Sequence, residues 1–211
     1  FAEKINPYHP TAAQGIVPSV QGLFIGIVTD IEDPENEFRV RVKIPAVNAE
    51  EEGVWARVAT LDAGDSRGTF FRPETGDEVI VGFLGDDPRE PVILGMLHSS
   101  AKAAPLTPAS ANNEKGYVSR SSFKLIFNDD KKSLTIESPA GKKIVVDDDA
   151  GKITIEDENG NKITMESSEV KVEAASNLSL KAGGQLKIEA ASISINGSGT
   201  TEIKGGIVQI N

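Results

Sequence analysis

Few polar side chains in this sequence have a type and spacing that could support chemistry. The two histidines, His9 and His98, stand alone, with no neighbouring nucleophile or paired carboxylate. A general base needs a partner within hydrogen-bond reach, so neither histidine predicts a catalytic site. The sequence has no cysteine, which excludes disulfides and thiolate metal sites.

The acidic residues raise the question of a calcium site or a carboxylate pair. The runs Asp129–Asp130 and Asp147–Asp149 lack the loop spacing of an oxygen-ligand calcium site. Glu74, Asp77 and Glu78 surround a glycine, as in a hairpin turn. We therefore predict solvated turns, no catalytic residue, no metal, no cofactor and no enzyme activity.

Charge and hydropathy exclude further classes of protein. The formal net charge is −10, and acidic residues outnumber basic ones more than two to one between residues 22 and 97. That region would repel a phosphate backbone, which argues against a nucleic-acid partner. No apolar run approaches the roughly 18 residues that span a bilayer, and no signal-peptide pattern opens the chain.

The front of the chain predicts a small β-barrel. Several of its apolar runs alternate with polar residues, and turn-forming residues separate them. The clearest is Phe38–Ile44, in which Phe38, Val40, Val42 and Ile44 should share one face. Five short strands in this length suit a closed barrel of the oligonucleotide/oligosaccharide-binding (OB) type. The predicted strands are Leu23–Ile31, Glu37–Ile44, Val54–Thr60, Glu78–Leu84 and Pro91–Leu97.

Bases of single-stranded nucleic acid stack on exposed aromatic rings. The aromatic residues of the barrel therefore leave nucleic-acid binding as an alternative function. The acidic balance favours a role in the core or in an interface instead. The residues concerned are Phe24, Trp55, Phe70, Phe71 and Phe83.

The back of the chain has no aromatic residue after Phe127 and repeats an apolar–polar–apolar triplet about every eight residues. Alternation puts both apolar members of a triplet on one face of a strand. The predicted core residues are Leu134, Ile136, Ile144, Val146, Ile153, Ile155, Ile163, Met165, Val170, Val172, Leu178, Leu180, Leu186, Ile188, Ile193, Ile195, Ile203, Val208 and Ile210.

One strand of about five residues cannot bury two aliphatic side chains alone, so the repeat predicts stacking. A period near eight gives one face per repeat, and three chains around one axis close a triangular prism. We therefore predict an obligate homotrimer and an intertwined triple-stranded β-helix whose ladder hydrogen bonds run mostly between chains. A single-chain β-solenoid or meander is the alternative.

A small barrel followed by this repeat resembles the cell-puncturing spike family. Its members are VgrG tip proteins of type VI secretion systems and central spikes of contractile phage tails and related injection particles. The resemblance rests on GIVTDIEDPENEFRVRVKIP (Gly26–Pro45), on the Trp-Ala-Arg, Phe-x-Pro-Glu-x-Gly-Asp-Glu-Val and Asp-Pro-x-x-Pro-Val-x-Gly segments of Val54–Leu97, and on SRSSFKLIFND (Ser119–Asp129).

This resemblance implies a trimeric, membrane-puncturing structural spike that delivers effectors or cargo. It is assembled in the cytoplasm and then secreted at the tip of the injection particle. The implied partners are tail-tube, hub and baseplate proteins, the target membrane, and a PAAR-repeat tip protein. That protein would dock at Gly205, Gly206, Ile207, Val208, Gln209, Ile210 and Asn211; the alternative is that the last layers close on themselves.

The chain also departs from full-length relatives, because it lacks hub domains, a lysozyme-like insert and an iron-binding His-x-His tip. We expect a C-terminal part of a longer protein: residues 1–21 as a linker from the hub, 22–98 as the OB barrel, 99–118 as a linker, and 119–211 as the β-helix spike. A trimeric β-helical tailspike that binds or cleaves polysaccharide remains an alternative function, although such sites need paired carboxylates.

Overall fold

The computed structural model describes residues 19–47 and 52–210, and these are almost entirely β-structure and loops. They divide into two compact units between Pro108 and Ala109. Among these residues, no helix has the length and apolar content to cross a bilayer. The predicted all-β class is confirmed.

The first unit contains a closed five-stranded barrel, as predicted. Around the barrel the order is β1-β2-β3-β7-β6, and only β3 and β7 pair in parallel. The barrel strands are β1 (Phe24–Asp30), β2 (Val40–Lys43), β3 (Val54–Val58), β6 (Glu78–Phe83) and β7 (Pro91–Leu97).

Aliphatic side chains that alternate along these strands fill the barrel. Phe24 and Phe83 pack against this core and meet edge-to-face with ring centroids 5.9 Å apart. Phe70 and Phe71 lie outside the core, with 80% and 59% of their surface exposed. The fully buried residues are Val28, Val40, Val42, Ile44, Ala56, Val79, Val81 and Ile93.

One predicted core position is wrong. Phe38 is not on the inner face of β2, because the strand begins only at Val40 and Phe38 precedes it with a left-handed φ of 64°. Asp33 organises this connection: its carboxylate accepts hydrogen bonds from the backbone NH groups of Glu35, Glu37 and Arg39. These contacts favour a wide turn where alternation alone predicts a continuous strand.

A small hairpin projects from the barrel between β3 and β6. Its two strands, β4 (Ala63–Gly64) and β5 (Arg67–Gly68), pair only with each other among the described residues. Thr60 and Thr69 are hydrogen-bonded at its base.

The second unit is a seven-stranded antiparallel sheet in which each strand pairs with its neighbours in sequence. Strand β8 starts at Glu114, inside the range predicted to be linker. The strands are β8 (Glu114–Val118), β9 (Lys124–Asn128), β10 (Ser133–Glu137), β11 (Lys143–Asp147), β12 (Lys152–Glu156), β13 (Lys162–Met165) and β14 (Val170–Glu173).

The ladder hydrogen bonds of this sheet run within one chain, which corrects the expectation that they run mostly between chains. Short turns allow this pairing. Gly141 and Gly160 have φ values of 89° and 88°, a conformation that glycine adopts without steric cost. A strand of five residues plus a short turn has the same period as one layer of a prism, so the spacing did not distinguish the two arrangements.

Beyond Glu173 the chain forms no strand through residue 210, and residues 175–210 are all exposed. Among the described residues, the aliphatic pairs of this segment therefore have neither a neighbouring strand nor a core to pack into. Leu180, Ile188 and Ile195, for example, are between 63% and 71% exposed.

Candidate functional site

The most unusual feature of the second unit is an apolar sheet face that remains partly exposed among the described residues. Cross-strand register aligns one isoleucine row over four strands: Ile136 opposes Ile144, Ile144 opposes Ile155, and Ile155 opposes Ile163. Their exposure lies between 37% and 42%. The row continues through Val172, Leu125 and Tyr117, and a second row of the same face contains Phe127, Leu134, Val146, Ile153, Met165 and Val170.

The opposite face is mostly polar, yet Thr154 at its centre is the one buried residue among the described residues of this unit. Thr154 is paired with Val145 and Thr164 on the neighbouring strands and is only 7% exposed. In an ordinary half-buried sheet the apolar face is the covered one. At its centre this sheet is therefore inverted with respect to water: the polar Thr154 is buried and the isoleucines of the other face are partly exposed.

A ladder of alternating charge flanks the row that contains Thr154. The residues that flank it run across six strands as Lys124, Glu137, Lys143, Glu156, Lys162 and Glu173, each opposite a residue of the other sign. Lys124 lies 3.7 Å from Glu137, and Lys162 lies 3.4 Å from Glu156. Opposed charges on neighbouring strands stabilise their pairing.

Polar contacts also order the turns at the ends of the strands. Lys142 pairs with Glu158 at 2.6 Å, and this hydrogen bond lowers the pKa of Glu158. In the same turn the Asn161 amide donates to Asp157, which lowers the pKa of that carboxyl to about 2. Charge is thus concentrated on the rim and on one face, and the other face is left apolar.

Two family models match the chain. The first, the type VI secretion system/phage-baseplate injector OB domain, covers residues 24–98, which contain the barrel. The second, the phage baseplate V C-terminal trimerisation domain, covers residues 133–211, which contain most of the apolar face. The chain belongs to the VgrG and phage-baseplate spike family.

Curated members of the spike family are similar to part of this chain. The spike protein VgrG3 of Vibrio cholerae serotype O1 is 35% identical over 112 residues, which are 48% of this chain and 11% of that protein. VgrG1a of Pseudomonas aeruginosa is 34% identical over 90 residues, 39% of this chain and 14% of that protein. An actin cross-linking toxin, VgrG1 of V. cholerae, is 33% identical over 98 residues, 43% of this chain and 9% of that protein.

The chain thus spans only about a tenth of the length of these VgrG relatives. The second match is to a trimerisation domain and covers most of the apolar face. It supports homotrimerisation through this region. The relatives named as type VI spike proteins support a structural spike role and secretion as part of the machine.

The acidic residues of the sequence motifs lie in turns or at the ends of strands. Asp147 accepts a hydrogen bond from the Ala150 NH at 2.8 Å, and Asp149 pairs with Lys132 at 2.7 Å. Asp129 pairs with Lys115, and Asp77 accepts a hydrogen bond from the Glu74 NH. Among the described residues, no group of three or more histidine, cysteine or acidic side chains could hold a metal ion.

The predicted core and tip residues fall into three groups: those on the sheet face, those on the unpaired segment and those at the predicted tip. The core positions from Leu134 to Val172 share the apolar face, and those from Leu178 to Ile210 lie on the unpaired segment. At the predicted tip, Ile207 and Ile210 are 87% and 89% exposed. Asn211 and His9 lie outside the described residues.

Sequence reasoning missed part of the apolar face. Leu125 and Phe127 belong to it, opposite Ile136 and Leu134. Their spacing of two residues in Lys124–Asn128 is the same signal that identified the later pairs. The charge ladder was also recognisable as lysine or glutamate at the ends of successive triplets, but only the register shows that opposite signs face each other.

Proposed function

We propose that this chain forms the shaft of a trimeric, membrane-puncturing spike at the tip of a contractile injection machine, of the type VI VgrG or phage-tail kind. The observation that carries the proposal is the inverted sheet, in which an isoleucine row is about 40% exposed while Thr154, on the opposite face, is buried. An apolar patch that crosses a whole sheet marks an interaction surface in a soluble protein.

Three copies of the chain can cover this apolar face with one another. If each copy contributes one sheet to one side of a triangular prism, the apolar rows face the axis and the charge ladders face water. The trimerisation-domain match supports this number of copies. The proposed trimer core consists of the aliphatic residues from Leu134 to Ile210 that the sequence predicted, extended by Leu125 and Phe127.

We infer that residues 174–210 take their strand partners from the other copies. Charged side chains two residues apart meet on one side of this segment, as they do on an extended strand. Lys187 lies 2.5 Å from Glu189, with Ile188 between them. Glu202 and Lys204 repeat this pairing around Ile203. Buried backbone groups need hydrogen-bond partners, and in the described structure this segment offers none to itself.

Such a rod suits mechanical work rather than chemistry. Each layer is tied to neighbouring layers and to two other chains, so local opening is resisted along its length. The proposed spike has no catalytic site: sheath contraction drives it, and the narrow shaft concentrates force on a small area of the target membrane while effectors or cargo travel with it.

The remaining partners and the location follow from the same proposal. The barrel would join hub, tail-tube and baseplate proteins that precede it, and a PAAR-repeat protein would cap residues 205–211. The spike would assemble in the cytoplasm and leave the cell with the injected particle. The relatives named type VI secretion system spike proteins support its exit as part of the machine.

Mass photometry of the chain at micromolar concentration tests the assembly on which the proposal depends. We expect a single species with three times the mass of one chain. A stable monomer would refute the prism. Within the full-length protein, a cell-to-cell delivery assay then separates assembly from function: a trimeric spike that the machine loads and fires should transfer cargo, and an assembly-deficient variant should not.

A further inference from the structure

A cleft on the barrel, remote in sequence from the trimerisation region, has the features of a binding site. It measures about 510 Å³ and lies between the turn that ends at Phe38, the end of β3 and the β4–β5 hairpin. Clefts of this size hold one or two side chains of a ligand. Its aromatic lining comes from Phe38, Phe70 and Phe71, each more than half exposed.

Phe38 forms its wall in a conformation that a bulky residue rarely adopts. Its φ is 64°, and the Arg72 guanidinium lies 4.6 Å from the ring centroid. The same guanidinium donates to the carbonyls of Ile31 at 2.6 Å and Arg39 at 2.8 Å, and so fixes both ends of the turn. Backbone strain persists only where surrounding contacts impose it, and it concentrates at ligand clamps.

The charges around the cleft are paired except for one. Glu37 lies 3.6 Å from Arg39, and Asp62 lies 2.5 Å from Arg67. Arg57, at the end of β3, is exposed, lines the cleft and forms no ion pair with any residue that the structure describes. One available guanidinium beside aromatic walls suits a carboxylate next to an apolar side chain.

We propose that this cleft binds an extended segment of another polypeptide through an acidic residue flanked by an apolar one. The carboxylate pairs with Arg57, and the apolar side chain packs between Phe38 and Phe70. The free outer edges of the β4–β5 hairpin can receive the backbone of such a segment, as in other cases of strand addition.

Fluorescence anisotropy with a labelled peptide tests the site in the assembled full chain. The probe is Gly-Ser-Glu-Phe-Glu-Ser-Gly, and the matched probe replaces both glutamates by lysine. We expect saturable binding of the acidic probe below about 1 mM and at least tenfold weaker binding of the basic one. No saturation, equal binding of the two probes, or stronger binding of a single-stranded oligonucleotide would overturn the proposal.

Two variants locate the site. Arg57→Glu should weaken binding of the acidic probe at least tenfold. Lys131→Glu makes the same charge change at an exposed position of the second unit and should leave binding unchanged. Phe38→Gly removes the aromatic wall but suits the left-handed turn, so binding should fall tenfold without loss of thermal stability. Unchanged binding in Arg57→Glu, or loss of binding in Phe38→Gly only alongside barrel unfolding, would contradict the site. The trimer mass, measured in parallel, tests the spike proposal separately.

Discussion

Thr154 and Ile155 are neighbours in β12 and point to opposite faces of one sheet, yet the threonine is 7% exposed and the isoleucine 41%. The hydrophobic effect favours the reverse order. On the threonine face the neighbouring positions carry opposed charges, whereas among the described residues Ile155 stays on a partly exposed apolar face. Strands β8 to β14 are thus hydrogen-bonded into one sheet, but its apolar face is not packed among the described residues.

The first prediction concerns Ile155→Asp. In the proposed prism this change places three carboxylates in one layer, and burying an unpaired charge costs several kcal/mol per chain. Mass photometry should show monomers. The control is Thr164→Asp, one strand away on the opposite face, which should remain trimeric. A trimeric Ile155→Asp variant would count against the prism.

A second prediction concerns the unpaired segment at residues 174–210. In the wild-type trimer its amides should exchange with deuterium slowly, since their proposed partners belong to the other copies. In Ile155→Asp they should exchange at unprotected rates, while strands β1 and β6 of the barrel stay protected. Slow exchange of residues 174–210 in a monomeric variant would mean that the segment pairs within its own chain.

A third prediction concerns the pH dependence of the barrel. The side chain of Arg39 donates to Asp33, and this holds the pKa of the carboxyl well below its usual value. A depressed pKa contributes stability that is present above the pKa of the unfolded chain and is lost as pH falls through the folded value. Asp33→Asn should therefore lower the melting temperature at pH 7.

The difference between wild type and Asp33→Asn should narrow steadily as pH falls below about 4. Calorimetry across this range measures it. Glu35→Gln serves as the control, because the Glu35 side chain is 64% exposed and exposed pairs contribute little. A melting difference that is constant from pH 7 to pH 2 would show that the carboxylate charge is unimportant.

The last prediction concerns the charge ladder. Glu156 lies opposite Lys143 on one side and Lys162 on the other. Glu156→Lys puts three like charges in a row and should reduce the free energy of unfolding by about 1 kcal/mol. Glu156→Gln should have a smaller effect. In 1 M salt the lysine variant should approach the glutamine variant, because screening is then nearly complete; equal destabilisation by both at every salt concentration would argue against the ladder.

The sequence by itself determined the all-β class, the approximate positions of the barrel strands and most residues of the apolar face. Strand side chains alternate with a period of two, so spacing alone places Val40 with Val42, and Ile153 with Ile155, whatever the strands pair with. Local signals also identified most turns, since Asp33-Pro34 and Asn159-Gly160 favour them through their own backbone preferences.

Tertiary structure alone decided which strands are partners. The parallel pairing of β3 with β7, the left-handed Phe38 held by Arg72, and the intrachain ladder of β8–β14 depend on residues far apart or on turn geometry. A repeat of about eight residues fits both a hairpin and a prism layer, because period fixes the direction of a side chain but not the identity of the strand beside it.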